Sequence, residues 1–304
     1  MMKIAVIGAG AMGCFYGAWL SALHDVFYID AYQPQVDALN RDGITIVEGE
    51  TERRYPARAY MSGSADERAD LVILFVKTLY TERALTRNQN IIGKDTALLT
   101  LQNGAGNDRT IKTHMDEANL LIGTSKHNCV NLGGGVIRHS GSGETVIGSL
   151  SGNRALAERI QAVLEEGGFE TQVSDNIQRI IWTKLFVNLS INALTALMDA
   201  QIGLVLDNAY AKDIATQIVR EAVAVAEADG NAFDEKEILD MVFAIARECA
   251  EGHASMCQDM QNRRLTEVDA INGAVARAAE EYGLSAPYNA MITKLVHCRE
   301  LLYT

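Results

Sequence analysis

The first thirty residues constrain this chain more than any other stretch. A short apolar run, Ile4 to Ile7, leads into Gly8-Ala9-Gly10-Ala11-Met12-Gly13. A small-residue and apolar stretch from Cys14 to Leu23 follows, then a second apolar run, Val26 to Ile29, that ends in Asp30. The order reads as strand, tight turn, helix, strand and acid, the context in which a G-x-G-x-x-G stretch binds a dinucleotide. Gly8 permits the tight turn, Gly10 lets the backbone approach a pyrophosphate, and Gly13 lets the helix pack close to the strand. Ala11 and Met12 begin the helix, whose first free N–H groups and positive dipole end would hold the phosphates. The bland alternative is a glycine turn in an α/β protein that binds nothing.

Asp30 sets an expectation about the cofactor. A carboxylate at the end of the second strand accepts hydrogen bonds from an adenine ribose diol and repels a 2′-phosphate, which favours NAD(H) over NADP(H). The competing reading is that Asp30 only begins the next loop. Lys3, Lys77 or Arg41 could still meet a phosphate, although no arginine directly follows Asp30.

At 304 residues the chain can bury a large core, and one or two domains are expected. Its 48% hydrophobic and 22% charged residues are ordinary for a soluble globular protein. The net charge of −12 gives no support for nucleic acid or an anionic membrane as partner, and neither is expected. It does not bar an anionic small molecule, because one local lysine can outweigh the global field. The five cysteines are dispersed and form no C-x-x-C pair, so neither a disulfide framework nor a metal site is expected. The N-terminus enters a strand at once and no apolar run approaches a membrane span, so the expected location is the cytoplasm.

Along the chain, residues 34–40 read as a short helix and 44–47 as a strand, and the polar stretch 48–69 as another short strand and a loop. Leu71 to Val76 is an unbroken apolar run, the mark of a buried parallel strand, and ends at Lys77. Residues 79–90 read as helix, and Ala97 to Leu101 as a strand ending at Gln102-Asn103-Gly104. Ligands of such sheets bind beyond the carboxyl ends of strands, which makes Lys77 and Asn103 candidates for a cleft. Strands follow at 120–123 and 126–132. Residues 136–139 and 145–147 read as a hairpin-like pair, 153–166 as a helix and 169–173 as a last strand. His139 reads as a structural strand-end histidine rather than a base.

From about Asp175 the texture changes to long helical periodicity. Helices are expected over 176–200, from an Asp207 or Asn208 cap to Gly230, from near Asp234, and over 249–262. A further one starts at Thr266 with the box Thr266-Glu267-Val268-Asp269 and runs to Gly283, and the last starts at Pro287. The expectation is an α/β protein: a Rossmann-type, mostly parallel sheet domain over 1–174 that binds the dinucleotide, and an all-α domain over 175–304 that holds substrate and catalytic groups, the two joined by a continuous helix. Exposed apolar positions in the helical half make a homodimer the expected assembly.

Chemistry is signalled in the helix at 176–200. Lys184, Asn188 and Asn192 lie at i, i+4 and i+8 and share one face, while the rest is largely apolar. A helix apolar nearly all round is buried, so a lysine and two asparagines aligned on it need partners or line a site. The alternative is a lysine snorkelling from the helix side with asparagines bonded to nearby backbone. Hydride delivery to a ketone leaves an alkoxide, and a lysine whose pKa is lowered by burial can donate the proton or stabilise the charge. A second polar stretch holds Ser255, suited to a carboxylate, and Glu267, suited to a hydroxyl or to orienting the lysine. Glu267 can equally be a helix-start carboxylate.

The chain resembles the ketopantoate reductase family (2-dehydropantoate 2-reductase) over nearly its full length. The matching pieces are GAGAMG at 8–13, VKT at 76–78, LQNG at 101–104, the H-x-G-x-G spacing from His139 to Gly143, KLFVNLSINALTAL at 184–197 and SMCQDMQNRRLTEVDAINGAV at 255–275. The resemblance implies that Lys184 is the general acid for the ketone oxygen and that Glu267 binds the substrate hydroxyl and helps hold the lysine. It places Asn103 near nicotinamide and substrate, Asn188, Asn192 and Ser255 on substrate hydroxyl and carboxylate groups, and Lys77 with the cofactor. It also implies reduction of ketopantoate to D-pantoate, a step of pantothenate and coenzyme A synthesis, usually with NADPH.

Two departures point elsewhere. Ile202 stands where the family usually has a substrate-touching asparagine, and an apolar side chain there favours an apolar substituent. Asp30 stands where NADP-dependent members tend to carry arginine nearby. Both suit relatives that are NAD-dependent D-2-hydroxy-acid dehydrogenases of D-mandelate type, acting on bulky apolar 2-keto acids. A non-catalytic nucleotide-binding regulator is a third class, against which the Lys184, Asn188, Asn192 and Glu267 set argues. The expected cofactor is therefore NADP or NAD, with Asp30 leaning towards NAD, and the expected partner a small-molecule 2-keto acid.

Overall fold

Strands that are apolar on both faces can be satisfied only in the middle of a sheet covered on both sides. In the computed structural model, which describes residues 1–303, these runs form the centre of an eight-stranded sheet. The chain divides into two units: Met1–Gln102 with Asn107–Ile177, and Asn103–Gly106 with the chain from Gln178 onward.

The first unit contains β1 (Lys3–Ile7), α1 (Ala11–Leu20), β2 (Asp25–Asp30), α2 (Gln33–Asp42), β3 (Ile44–Glu48), β4 (Thr51–Tyr55), β5 (Ala59–Met61), β6 (Leu71–Leu74), α3 (Thr81–Arg87) and β7 (Ala97–Thr100). It continues with α4 (Asn107–Ile111), β8 (Leu120–Ser125), β9 (Asn128–Gly133), β10 (Val136–Gly141), β11 (Thr145–Ser149), α5 (Arg154–Glu166) and β12 (Thr171–Val173). The large sheet runs β12-β11-β8-β7-β6-β1-β2-β5 and is parallel except between β11 and β8. A second sheet, β4-β3-β10-β9, stands apart from it.

Two expectations are corrected here. Residues 136–147 form no hairpin: β10 pairs with β3 and β9, whereas β11 pairs with β8 and β12. The burial patterns give the reason. In β10, buried Ile137 and His139 alternate with exposed Arg138 and Ser140, as in a one-sided sheet, while β11 is buried along most of its length. The stretch 48–69 holds two strands, not one; β4 is exposed along most of its length and so carries no apolar alternation to read.

Helix α1 packs against β1 and β2 of the large sheet and against β9 and β10 of the small one. Its aromatic face makes the join. The Tyr16 ring stacks on Phe169 at 4.1 Å, and Phe15 lies 4.2 Å from the His139 ring. His139 is buried; its Nδ1 meets Glu48 Oε1 at 2.6 Å and its Nε2 meets His127 Nδ1 at 3.1 Å. It is the structural histidine its position suggested.

The second unit is helical: α6 (Ile177–Met198, whose first residue belongs to the first unit), α7 (Leu204–Asp207), α8 (Ala209–Ala228), α9 (Glu235–Glu248), α10 (Ser255–Gln261), α11 (Asn272–Glu281) and α12 (Pro287–Glu300). Asn208 caps α8 by accepting the N–H groups of Tyr210 and Ala211, and Asp234 caps α9 by accepting that of Glu237. Each such cap contributes about 1 kcal/mol. By length and a mean hydropathy of 1.4, α6 does reach what a membrane span requires, which corrects the expectation that no run approaches one. Its apolar residues instead form the core of the helical unit, where Leu185, Phe186, Leu189 and Leu194 are buried against α8, α9 and α11 residues.

Two helical expectations also change. Only 255–261 of the stretch 249–262 is helix, because Cys249 to Gly252 turns back to receive the N–H groups of Ile202 and Gly203 on Gly252 and Ala250. The box at Thr266 starts no α-helix. Val268–Ala270 is a single 3₁₀ turn, Ile271 breaks it at φ −104° and ψ −93°, and α11 begins only at Asn272.

The histidine pair generates a pH prediction. Burial, aided by the neighbouring His139, pushes the His127 imidazole down to about 4. The unfolded chain therefore takes up the proton first as pH falls, and stability present above about pH 6.5 is lost towards pH 4. Chemical denaturation at pH 7 and pH 4.5 should show this loss, with a smaller pH dependence in His127→Gln; an unchanged difference would exclude His127 as its source.

Candidate active site

Within the first unit the glycine loop has the shape that a dinucleotide pyrophosphate requires. Gly8 sits at φ +98°, and a side chain there would run into the backbone of Phe75 and Val76. A methyl on Gly13 would strike the Gly8 carbonyl, so the third glycine is what allows α1 to lie so close. Around Gly10, by contrast, an added Cβ meets nothing within 4 Å, which leaves room for phosphate oxygens. No side chain caps α1, and the N–H groups of Ala11 and Met12 open its first turn. These residues fit a dinucleotide. Lys77 directly follows Val76, the residue packed on Gly8, and precedes the 3₁₀ turn Thr78–Tyr80.

Asp30 has a structural duty as well. Its Oδ2 accepts the N–H of Ala9 at 2.8 Å and its Oδ1 that of Tyr32 at 2.9 Å. The Ala9 carbonyl is held from the other side by Gln35 Nε2 at 2.8 Å and Cys14 Sγ at 3.2 Å. Gln35 and Cys14 therefore fix the loop, a role that no motif signals, because any buried donor in reach of that carbonyl would serve. Of the cations weighed for a 2′-phosphate, Lys3 pairs with Glu67 at 2.7 Å and Arg41 with Asp42 at 2.6 Å.

The second unit gathers the polar residues that the sequence singles out as candidates for chemistry. Asn103 belongs to it through the short segment Asn103–Gly106, pinned by the Ala105 N–H on the Ala270 carbonyl at 3.0 Å. Gly104, at φ +89°, lies so near Ala270 that any side chain would collide with it. That close approach lets Asn103 Nδ2 donate to Glu267 Oε2 at 3.2 Å. Glu267 in turn faces Lys184 on α6. Burial pushes the Lys184 amine down to about 8, and the Glu267 charge opposes the fall. The helix places Asn188 and the buried Asn192 on the lysine's face, at one-turn intervals. Ser255 stands exposed as the first residue of α10. Ile202 is half-buried and packs against the helical core.

Chemically, the cluster offers an ammonium that can give up a proton near neutral pH, a carboxylate that keeps it charged, and amides that can accept or donate. Replacing Glu267 by Gln should lower the Lys184 pKa further, since it removes a charge that opposes the fall. An NMR titration of the lysine ε-carbon would read this, and an unmoved or raised midpoint would show that the two groups are uncoupled.

Comparisons with known proteins agree along the whole chain. Residues 4–152 match the ketopantoate reductase PanE/ApbA family and residues 176–300 match its C-terminal part. The 2-dehydropantoate 2-reductase of Streptococcus pyogenes serotype M3 is 33% identical over 302 residues, covering 98% of each chain. That of Halobacterium salinarum is 32% identical, covering 97% of this chain and 98% of the relative. A ternary structure of D-mandelate dehydrogenase with NADH and anilino(oxo)acetate superposes with a TM-score of 0.95 at 31% identity over 99% of each chain. A PanE/ApbA family ketopantoate reductase from Ralstonia eutropha JMP134 gives 0.90 at 28% identity, again over 99% of each. With sequence and fold in agreement, the chain belongs to the ketopantoate reductase family.

Proposed function

We propose that this protein is a nicotinamide-dependent oxidoreductase that reduces a 2-keto acid to a D-2-hydroxy acid, with 2-dehydropantoate as the first substrate to test. The observation that carries the reading is the gathering of Asn103, Lys184 and Glu267 around one turn, in a chain whose curated relatives are 2-dehydropantoate 2-reductases. Gly8, Gly10, Ala11, Met12, Gly13, Asp30 and Lys77, in the domain over 1–174, would hold NAD(P)H. The bound nicotinamide would supply the hydride.

The chain's own residues do the rest, in the domain over 175–304 and the Asn103 segment. The Lys184 ammonium, already lowered towards about 8, gives its proton to the ketone oxygen as that oxygen gains charge. Glu267 keeps the ammonium charged until then and accepts a substrate hydroxyl. Asn103, by bonding Glu267, fixes which carboxylate oxygen remains for the substrate. Asn188, Asn192 and Ser255 bind substrate hydroxyl and carboxylate groups.

A second reading is favoured by Ile202 and Asp30. An isoleucine packed on the helical core would leave an apolar wall where a substrate hydroxyl would need a partner. Asp30, together with the engagement of Lys3 and Arg41 by carboxylates, supports NADH over NADPH. The protein would then be an NADH-dependent dehydrogenase of bulky apolar D-2-hydroxy acids. The neighbour of TM-score 0.95 is itself a D-mandelate dehydrogenase with NADH.

Initial rates with 2-dehydropantoate and with benzoylformate, each with NADH and NADPH, separate the two. Preference for 2-dehydropantoate with NADPH supports the first, preference for benzoylformate with NADH the second, and no turnover with any pair overturns both. In either case Lys184→Ala should lower kcat by about 10²–10⁴-fold. A folded variant losing less than tenfold would remove Lys184 as the acid. A homodimer is also proposed: Tyr288, Met291 and Leu295 expose a stripe along α12 at i, i+3 and i+7. Sedimentation showing only monomer at micromolar concentration would remove it.

A further inference from the structure

The box at Thr266 starts no α-helix, and two of its groups, the Thr266 N–H and the Asp269 carboxylate, bond to the last helix. The Thr266 N–H donates to Glu300 Oε1 at 2.6 Å. The Glu300 side chain is 7% exposed, and its Oε2 meets His297 Nδ1 at 2.9 Å. His297 Nε2 reaches Asp269 Oδ1 at 3.0 Å, so α12 grips the turn at Thr266 and again at Asp269. At the far end of the turn, fully buried Asn272 donates from Nδ2 to the Leu189 carbonyl of α6 at 3.0 Å. Glu267 lies between these holds.

These contacts differ in weight. Asp269 and His297 keep 59% and 44% of their side chains exposed, and such a pair contributes little. Glu300 is different. Burying a carboxylate is costly unless charge-assisted hydrogen bonds compensate it, and a neutral residue could pack α12 at less expense. What the charge provides is a short, directional bond to one backbone amide, adjacent to Glu267.

We infer that Glu300 is a positioning residue for the reaction, holding the Thr266–Ala270 turn from α12 so that Glu267 stays between Asn103 and Lys184. The inference rests on the proposed role of Glu267 and adds a residue remote from it in sequence. His297 is the second member of the device. Burial works against its imidazolium, but hydrogen bonds to Asp269 and Glu300 outweigh this and raise its pKa. Arg277 also reaches this end of the turn, donating to the Asp269 carbonyl at 2.7 Å.

The test compares Glu300→Ala, Glu300→Gln and Glu300→Asp with the wild-type chain. Glutamine keeps an oxygen for the Thr266 amide; aspartate, one methylene shorter, draws back from it and serves where the alanine variant does not fold. Glu300→Ala is expected to lower kcat/KM for the 2-keto acid by ten- to a hundredfold with dinucleotide Kd within twofold, and Glu300→Gln to recover to within about threefold of wild type. Glu300→Asp is expected to fall between them. Losing Glu267 from its place should also move the alkaline limb of the kcat profile to lower pH, because its charge no longer holds the lysine up. A packing role alone would lower the melting temperature and leave that limb unmoved.

Amide hydrogen exchange over Thr266–Ala270 supplies a readout independent of turnover, and should accelerate in Glu300→Ala and Glu300→Asp. Wild-type exchange in both variants, or kcat/KM within twofold of wild type in both, overturns the inference. A wild-type chain that reduces no 2-keto acid overturns the proposed function instead, and the exchange measurement still decides whether Glu300 holds the turn.

Discussion

A lysine in a helix packed on most sides is the constraint from which the rest of the helical unit follows. Removing an amine from water penalises its charged form, and burial pushes the Lys184 pKa down. Glu267 supplies the opposing charge, so it must be held close, yet it cannot come from α6 itself without disturbing the polar face of Asn188 and Asn192. It comes from a turn between α10 and α11, and the turn is not a regular helix because its peptide groups are committed outward. The Thr266 amide goes to Glu300 and the Ala270 carbonyl to Ala105. The segment from Thr266 to Asn272, with its single 3₁₀ turn, thereby joins α12, the Asn103 segment and α6.

The glycine loop of the first unit is governed by a similar economy. Its geometry hangs on the Ala9 peptide, whose N–H is taken by Asp30 and whose carbonyl by Gln35 and Cys14. An ionised carboxylate has about four acceptor sites, so Asp30 can hold the loop and still receive a ribose hydroxyl. The loop's shape and any preference between cofactors are then coupled through one side chain. Replacing it would disturb the loop as well, so a shift in cofactor ratio alone does not isolate the ribose contact.

The sequence carried the fold where burial is one-sided or total. Unbroken apolar runs identified β1, β6 and β7, glycine spacing identified the α1 turn, and Asn208, Asp234 and Pro287 marked helix starts that the structure places there. It misled where a local signal competes with a distant partner. Thr266-x-x-Asp269 has the form of a capping box, but the Thr266 hydroxyl accepts the Val268 N–H, and Asp269 points to His297, 28 residues on. Exposed β4 and the assignment of β10 to a second sheet were illegible for the same reason, since pairing across sheets leaves no local periodicity. At the site, the one-face spacing of Lys184, Asn188 and Asn192 was readable from the 3.6-residue repeat. The meeting of Asn103 with Glu267, 164 positions apart, was not.

Placing the proposed acid, Lys184, on a long helix and its carboxylate on a separately anchored turn has a consequence for tuning. For a charge pair about 4 Å apart in an effective dielectric of about 20, the interaction is roughly 4 kcal/mol, and moving the partner away by about 1 Å removes roughly 0.8 kcal/mol of it. That corresponds to about 0.6 in the lysine's pKa. An acid meant to be protonated at neutral pH, yet weak enough in its hold to release the proton, sits near the centre of such a range. Small adjustments of the turn therefore translate into the pH at which Lys184 gives up its proton, without any change on α6. The anchors of the turn, Glu300 on one side and Asn272 on the other, are where such adjustment is available, because neither occupies the polar face that the substrate would meet.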